Sequence, residues 1–308
     1  MIDEGPHVMT PANAAGMFIR AEHLSPGQRA WRRFTRNKLA VISLCFIAVL
    51  VAIVLLAPWL SPYQPNDVSD AQFEKPNAQH WFGTDVNGRD LLARTLAGAR
   101  VSLLVGAVGT GVSLIIGVLW GSIAGYTGGR TDEFMMRFVD ILYALPSIIF
   151  VIVLITSLED IVKKFAGTTA FGVSVRLLFL FVGLGAVSWL TMARIVRGQV
   201  LSLRERPFVM ASRSLGATHA RVIFQHILPN TLGVIIVYLT LTVPSVILYE
   251  SFLSYLGLGI QPPMASWGSL LAEGARQINP VRIYWWLLVF PCVTLVVTLL
   301  ALNFIGDG

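Results

Sequence analysis

Charge is scarce in this chain, and cysteine and lysine are nearly missing. Asp, Glu, Lys and Arg make up only 13% of the 308 residues while apolar side chains make up 55%. Ordinary soluble domains carry about 25% charged residues, so a water-exposed globular fold is excluded and an integral membrane protein is indicated. The two cysteines, Cys45 and Cys292, both lie in apolar runs, which implies neither a disulfide framework nor a metal-site spacing. None of the four lysines (Lys38, Lys75, Lys163, Lys164) follows a glycine. That removes Gly-x-x-x-x-Gly-Lys-[Ser/Thr] and with it ATP binding through a P-loop. His-Glu-x-x-His and Gly-x-Ser-x-Gly are missing too, leaving no constellation for catalysis.

What is present is long uncharged runs. A bilayer needs about 20 mainly apolar residues per helical span, and Leu39–Ala57, Val101–Gly129, Ile141–Leu158, Leu177–Ala193, Ile227–Tyr249 and Ile283–Gly306 meet or approach that length. These predict an all-α integral membrane protein with six transmembrane helices. A further uncharged run, Ser251–Ala272, carries Gly257, Gly259, Pro262, Pro263 and Gly268. Prolines remove backbone donors that lipid cannot replace, so this run reads as a surface or partly re-entrant segment.

Orientation follows from the basic residues. Arg20, Arg29, Arg32, Arg33, Arg36 and Lys38 precede the first run, and no small-residue cleavage site follows it, so residues 1–38 read as a cytoplasmic tail before a retained anchor at 39–60. Residues 61–98 then form an extracytoplasmic segment. Residues 99–308 form a core with five further spans, cytoplasmic loops at 127–137 and 194–229, and extracytoplasmic segments at 159–176 and 251–282. Arg194, Arg197, Arg204, Arg206, Arg213 and Arg221 fall in the 194–229 loop, whereas the outer segments nearly balance their cations with Asp67, Asp70, Glu74, Asp85, Asp90, Glu159 and Asp160. The net charge of +6 is thus spread by topology over separate loops, without the single basic face that nucleic acid requires.

Inside the spans, Gly109, Ser113, Gly117, Gly121, Gly125 and Gly129 recur at every fourth position, a smooth stripe that permits close helix packing. Pro146, Pro244 and Pro291 punctuate the third, fifth and sixth spans, where each bends or kinks the helix. Glu250 abuts the fifth span. If that span ends near Tyr249 the carboxyl sits in the outer interface; otherwise it is an intramembrane acid, a costly group that faces a cavity or a partner.

The inner loop is the most informative stretch. Pro207 suits the first position of a helix, and Phe208, Ala211, Ser212 and Leu215 then share one narrow apolar or small face, with Arg206, Arg213 and Ser214 facing elsewhere. Gly216 fits the left-handed residue past a helix end. Thr218 is placed to cap a second helix whose Val222, Ile223 and Ile227 run toward Pro229 and the next span. A short helix held beneath the bilayer by a reversing glycine is a docking knob.

Here the chain resembles the inner-membrane permease subunits of binding-protein-dependent ABC importers. Their coupling loop reads Glu-Ala-Ala, three residues, Gly, nine residues, then Ile-x-Leu-Pro. This chain has Met210-Ala211-Ser212, three residues, Gly216, nine residues, then His226-Ile227-Leu228-Pro229. Met210 stands for the Glu, Ser212 for the second Ala and His226 for the Ile, so a charge is missing from the docking face. The segments RRFTRNKLAVISL (32–44), HWFGTDVNGRDLLARTLAGARVSLLVG (80–106), GGRTDEFMMRFVDILYALP (128–146), ESFLSYLGLGIQPPMASWGSLLAEGA (250–275) and LNFIGDG (302–308) look like the peptide/nickel branch. WLTMARIVRGQVLSL (189–203) looks most like the C subunit of oligopeptide permeases. Family members usually carry a short polar tail after Ile-Gly-Asp-Gly, whereas this sequence stops at Gly308.

The resemblance implies a type I ABC importer permease fold in the bacterial inner membrane, with both termini cytoplasmic. It implies a second related permease subunit, two ATPase subunits that bind ATP and Mg, and an extracytoplasmic substrate-binding protein. No cofactor or metal is expected in this chain. Pro207, Phe208, Met210, Ala211, Ser212, Arg213, Leu215, Gly216, His226, Ile227, Leu228 and Pro229 would contact or shape the ATPase contact, and Glu250 would serve the outer gate or the binding-protein contact. Oligopeptides or dipeptides are the expected cargo, with nickel or glutathione on the same architecture as alternatives. A secondary transporter would instead show unwound charged half-helices and an inverted repeat, and a membrane scaffold would leave the ordered loop unexplained.

Overall fold

The structure, a computed structural model, describes residues 26–164, 169–170 and 173–308. The tail expected at 1–38 therefore lies largely outside the described residues, as do parts of the segment at 159–176. Among the described residues twelve pieces of helix follow in order: α1 (Pro26–Arg36), α2 (Lys38–Leu60), α3 (Leu91–Thr127), α4 (Gly129–Ala144), α5 (Ser147–Lys164), α6 (Val175–Arg204), α7 (Pro207–Ser214), α8 (His219–Val222), a π-helical turn (Ile223–Ile227), α9 (Leu228–Tyr255), α10 (Trp267–Arg276) and α11 (Trp286–Asp307). A two-residue hairpin, β1 (Thr169–Ala170) with β2 (Val173–Ser174), precedes α6.

Among the described residues, four stretches of helix are long and apolar enough to cross a membrane: Lys38–Trp59, Leu91–Thr127, His219–Tyr255 and Trp286–Asp307. The bent pair α4–α5 makes a fifth. The expected fourth span, Leu177–Ala193, lies within α6, a helix of 30 residues that forms with α3 the most extensive helix pair of the fold.

Several expected boundaries are corrected, each for a local physical reason. The second span starts at Leu91 rather than Val101, because Asp90 caps it by accepting the Ala93 N–H at 2.8 Å and Arg94, buried in its first turn, is neutralised by acids. Pro146 does not merely kink the third span; it breaks it, with a 93° bend between α4 and the start of α5. Leu145, pushed out of the helical region by the proline that follows, adopts φ −80°, ψ 137°. The fifth span runs on to Tyr255 rather than Tyr249. Pro244 and Pro291 lie inside α9 and α11. Ser251–Ala272, expected as a surface or partly re-entrant segment, is mixed: Gly257, Pro262 and Pro263 are exposed, while Ser251, Leu253, Ile260, Ser266, Trp267 and Leu270 are buried.

The core is layered along α3 and α6. Val105, Leu184, Val187, Val246, Leu253 and Ile260 form one buried cluster; Met192, Val196, Val200, Val209, Val222, Ile227 and Ile235 form another at the opposite end. Residues 61–90 pack against the start of α11, where Phe73 and Phe82 join a separate cluster of Leu91, Trp286 and Leu287. Phe73 stacks on Tyr284 at 4.1 Å, Phe82 on Phe290 at 4.2 Å, and the buried Trp286 donates its indole N–H to the Thr84 carbonyl at 3.2 Å. Asp85 receives Arg94 at 2.8 Å and Arg89 at 2.7 Å, and Arg94 also grips Glu273 of α10 through Nη2 at 3.0 Å.

Candidate functional site

The inner loop is built as two anchors around a reversal. Pro207 is the first residue of α7, where its missing N–H costs nothing. At the far end Gly216 has φ +81°. The Ala217 N–H returns to the Ser212 carbonyl at 3.1 Å and the Gly216 N–H to the Arg213 carbonyl at 3.0 Å. That pair of bonds is the Schellman closure, and it satisfies two end carbonyls while turning the chain. Thr218 then caps α8 by accepting the Arg221 N–H at 3.4 Å.

From α8 the chain widens into the π turn, where the Leu228 N–H reaches back five residues to the Ile223 carbonyl. Pro229 has no N–H to give and its ring would crowd the carbonyl of Gln225 in a regular helix; a π turn relieves both. The Asn230 side chain donates to the His226 carbonyl at 2.6 Å.

Burial separates anchor from knob. Val209, Val222 and Ile227 are fully buried against Val196 and Val200 of α6. Leu215 is 88% exposed, Met210 50% and Phe208 44%. Ala211 and Arg213 are exposed with them, Ser212, His226 and Leu228 are half-buried, and Pro229 is exposed. The face read from the sequence is thus the outward one, and the anchoring residue Val209 was missed by that reading. Its signal, an apolar residue out of phase with Phe208 and Leu215, is legible only once the direction of the spans is known. Tyr126 at the inner end of α3 meets His219 Nδ1 at 3.0 Å, so the knob is tied to α3 as well as to α6 and α9.

Ion pairs line the same end. Arg197 of α6 forks onto Asp132 of α4, with Nη2 to Oδ2 at 2.6 Å, and Arg194 reaches Asp140 at 2.7 Å while covering the Tyr143 ring at 4.0 Å. Between α4 and α6 lies an open cavity of about 470 Å³ lined by Asp132, Glu133, Arg137, Asp140, Arg194 and Arg197. Asp132, Glu133 and Arg137, expected in the 127–137 loop, and Arg194 and Arg197, expected in the 194–229 loop, lie on α4 and α6 instead.

The small-residue stripe faces α6. A side chain at Gly117 would collide with Met192, one at Gly121 with the Ala193 backbone, and one at Gly125 with the Arg197 carbonyl and Val200. Gly109, reached from the other side by Gly185, and Ser113 are buried in the same seam. Gly129 is not part of it: it opens α4 at φ +55° with open space around it.

Glu250 lies at the other end, inside α9 and 0% exposed. Ser102 of α3 donates to its Oε2 at 2.9 Å, and Ser254 to its Oε1 at 2.7 Å. Enclosed this way, the carboxyl presents no surface to a separate protein in this conformation; it joins α3, α9 and the start of α10.

Two family models match the chain: binding-protein-dependent transport system inner membrane component over residues 117–308, and the N-terminal TM domain of oligopeptide transport permease C over residues 25–78. The oligopeptide transport system permease protein OppC of Haemophilus influenzae is 46% identical over 293 residues, 94% of this chain and 88% of that protein. The dipeptide transport system permease protein DppC of Bacillus subtilis is 43% identical over 291 residues, 94% of this chain and 86% of that one. Among solved structures, a chain of the MetNI methionine ABC transporter in an inward facing conformation matches with a TM-score of 0.53 at 22% identity, over 70% of this chain and 94% of that one. This last likeness shows the fold, that of a type I ABC importer permease. On this evidence the chain belongs to the family of inner membrane components of binding-protein-dependent transport systems.

Proposed function

We propose that this chain is one of two related membrane subunits of an ATP-driven importer of oligopeptides or dipeptides, and that the knob Pro207–Pro229 docks on a cytoplasmic ATPase subunit. The observation that carries the docking role is the split between buried and exposed faces: Phe208, Met210 and Leu215 point outward from a knob whose Val209, Val222 and Ile227 are locked into the spans. Exposed apolar residues on a rigid projection suit a partner groove. Cargo class rests on the relatives, which are named for oligopeptide and dipeptide transport and match nearly the whole chain.

In this reading both termini are cytoplasmic, ATP and Mg are bound by the ATPase subunits, and this chain performs no catalysis. Closure of the ATPases pushes the knob. Because α8, the π turn and α9 run on as one path, the push reaches Glu250 at the far end of α9, where the serine cage joins α10 to α3 and acts as the outer gate. Opening there receives cargo from an extracytoplasmic binding protein, and relaxation releases it inward.

The test is co-purification of the ATPase subunits with tagged wild-type and Leu215→Asp chains, followed by ATP-driven uptake of a labelled tripeptide in proteoliposomes. Loss of both in Leu215→Asp with normal membrane insertion is expected; retained ATPase binding and uptake would remove the knob from the interface.

A further inference from the structure

A second cavity, of about 550 Å³, opens between the last turns of α2, the third turn of α3 and the loop before α10. Its lining joins apolar Val54, Leu96 and Leu104 to polar Tyr63, Gln64 and Arg100. Not one of its lining residues is acidic. Arg100 is exposed and, unlike Arg89 and Arg94 on the same stretch, has no hydrogen bond or ion pair among the described residues. It also stands where the uncharged part of α3 begins, and Trp59 beside the cavity is 80% exposed.

We infer that this cavity holds an anionic phospholipid, with its phosphate on Arg100 and one acyl chain against Val54, Leu96 and Leu104. An arginine at the margin of an apolar span carries a charge that requires a partner. Guanidinium matches phosphate in a bidentate fork and is the side chain best suited to that recognition. Exposed tryptophan at a span end marks the headgroup level, so Trp59 sets the cavity at the depth where lipid phosphates lie. A volume of this order accepts a headgroup and part of a chain but not a whole lipid. The net charge of the lining selects an anionic lipid over a zwitterionic one. The inference relies on the orientation proposed above only for which leaflet supplies the lipid.

Native mass spectrometry of the assembled transporter, purified and equilibrated with an equimolar mixture of phosphatidylglycerol and phosphatidylcholine, tests this. The wild-type complex is expected to retain phosphatidylglycerol in preference. Arg100→Gln is expected to lower that retention about fivefold, the scale of one cationic side chain at a membrane surface, and Arg100→Lys to keep most of it. Equal retention of the two lipids by the wild type overturns the inference without recourse to any variant. So does unchanged phosphatidylglycerol retention in Arg100→Gln, including the case where that variant loses peptide uptake, which would assign the cavity to the cargo path.

Discussion

Ser102 donates its hydroxyl hydrogen to Glu250 at 2.9 Å, across 148 residues of chain. The same hydroxyl oxygen accepts the N–H of Trp267, the first residue of α10, at 3.3 Å. A single serine therefore closes a three-way junction of α3, α9 and the segment that follows α9, at the end of the molecule away from the knob.

Removal of the carboxyl leaves the hydroxyls of Ser102 and Ser254 buried with fewer partners. Glu250→Ala is expected to destabilise the complex by about 1–3 kcal/mol, the usual cost of unsatisfied buried polar groups, read as a fall in the thermal inactivation midpoint. Glu250→Gln keeps acceptor capacity on one oxygen only, so a smaller fall together with altered uptake is expected. Normal assembly and transport in Glu250→Gln would sink the gating role.

Two glycines of α3 separate packing from helix propensity. Gly121→Leu drives a side chain into the Ala193 backbone and is expected to cost about 3 kcal/mol or more, at the upper end of overpacking, or to abolish folding. Gly111 has nothing within 4 Å of an added Cβ. Gly111→Ala is therefore expected to be neutral or to stabilise by up to about 1 kcal/mol. Detergent thermal-shift measurements on both variants compare them directly.

Gly216 has open space around it, so only its backbone matters. Gly216→Val places a β-branched residue at φ +81° and is expected to cost about 1–3 kcal/mol locally. That is enough to open the Schellman turn without unfolding the spans. Uptake driven by ATP should fall while insertion stays normal; unchanged uptake in vesicles would show that the reversal is dispensable.

Arg94 is the keystone of the cap formed by residues 61–90. Arg94→Gln leaves Asp85 without one of its two cations and Glu273 with only Arg89 at 3.4 Å. Breaking a buried pair costs about 3–5 kcal/mol, so residues 61–90 are expected to become sensitive to limited proteolysis from the outer side. Protection equal to wild type would refute this.

Much of the fold is legible from composition alone, because lipid forces the backbone to satisfy itself and so turns apolar runs into helices. The loop punctuation was equally legible: Pro207, Gly216, Thr218 and Pro229 each have a local conformational role that needs no tertiary partner. Boundaries were less so. Charges were used to end spans, yet Arg94, Asp132, Arg197 and Glu250 all sit within helices because partners from distant segments neutralise or hydrogen-bond them.

Local rules therefore determined membrane class, the helix end at Gly216 and the family-specific motifs. Tertiary structure alone decided that Val209 anchors while Leu215 projects, that the glycine stripe faces α6, and that Glu250 is enclosed rather than interfacial. Periodicity defines which residues share a face but not what that face meets; only packing between helices remote in sequence supplies the partner, and with it the sign of each residue's contribution.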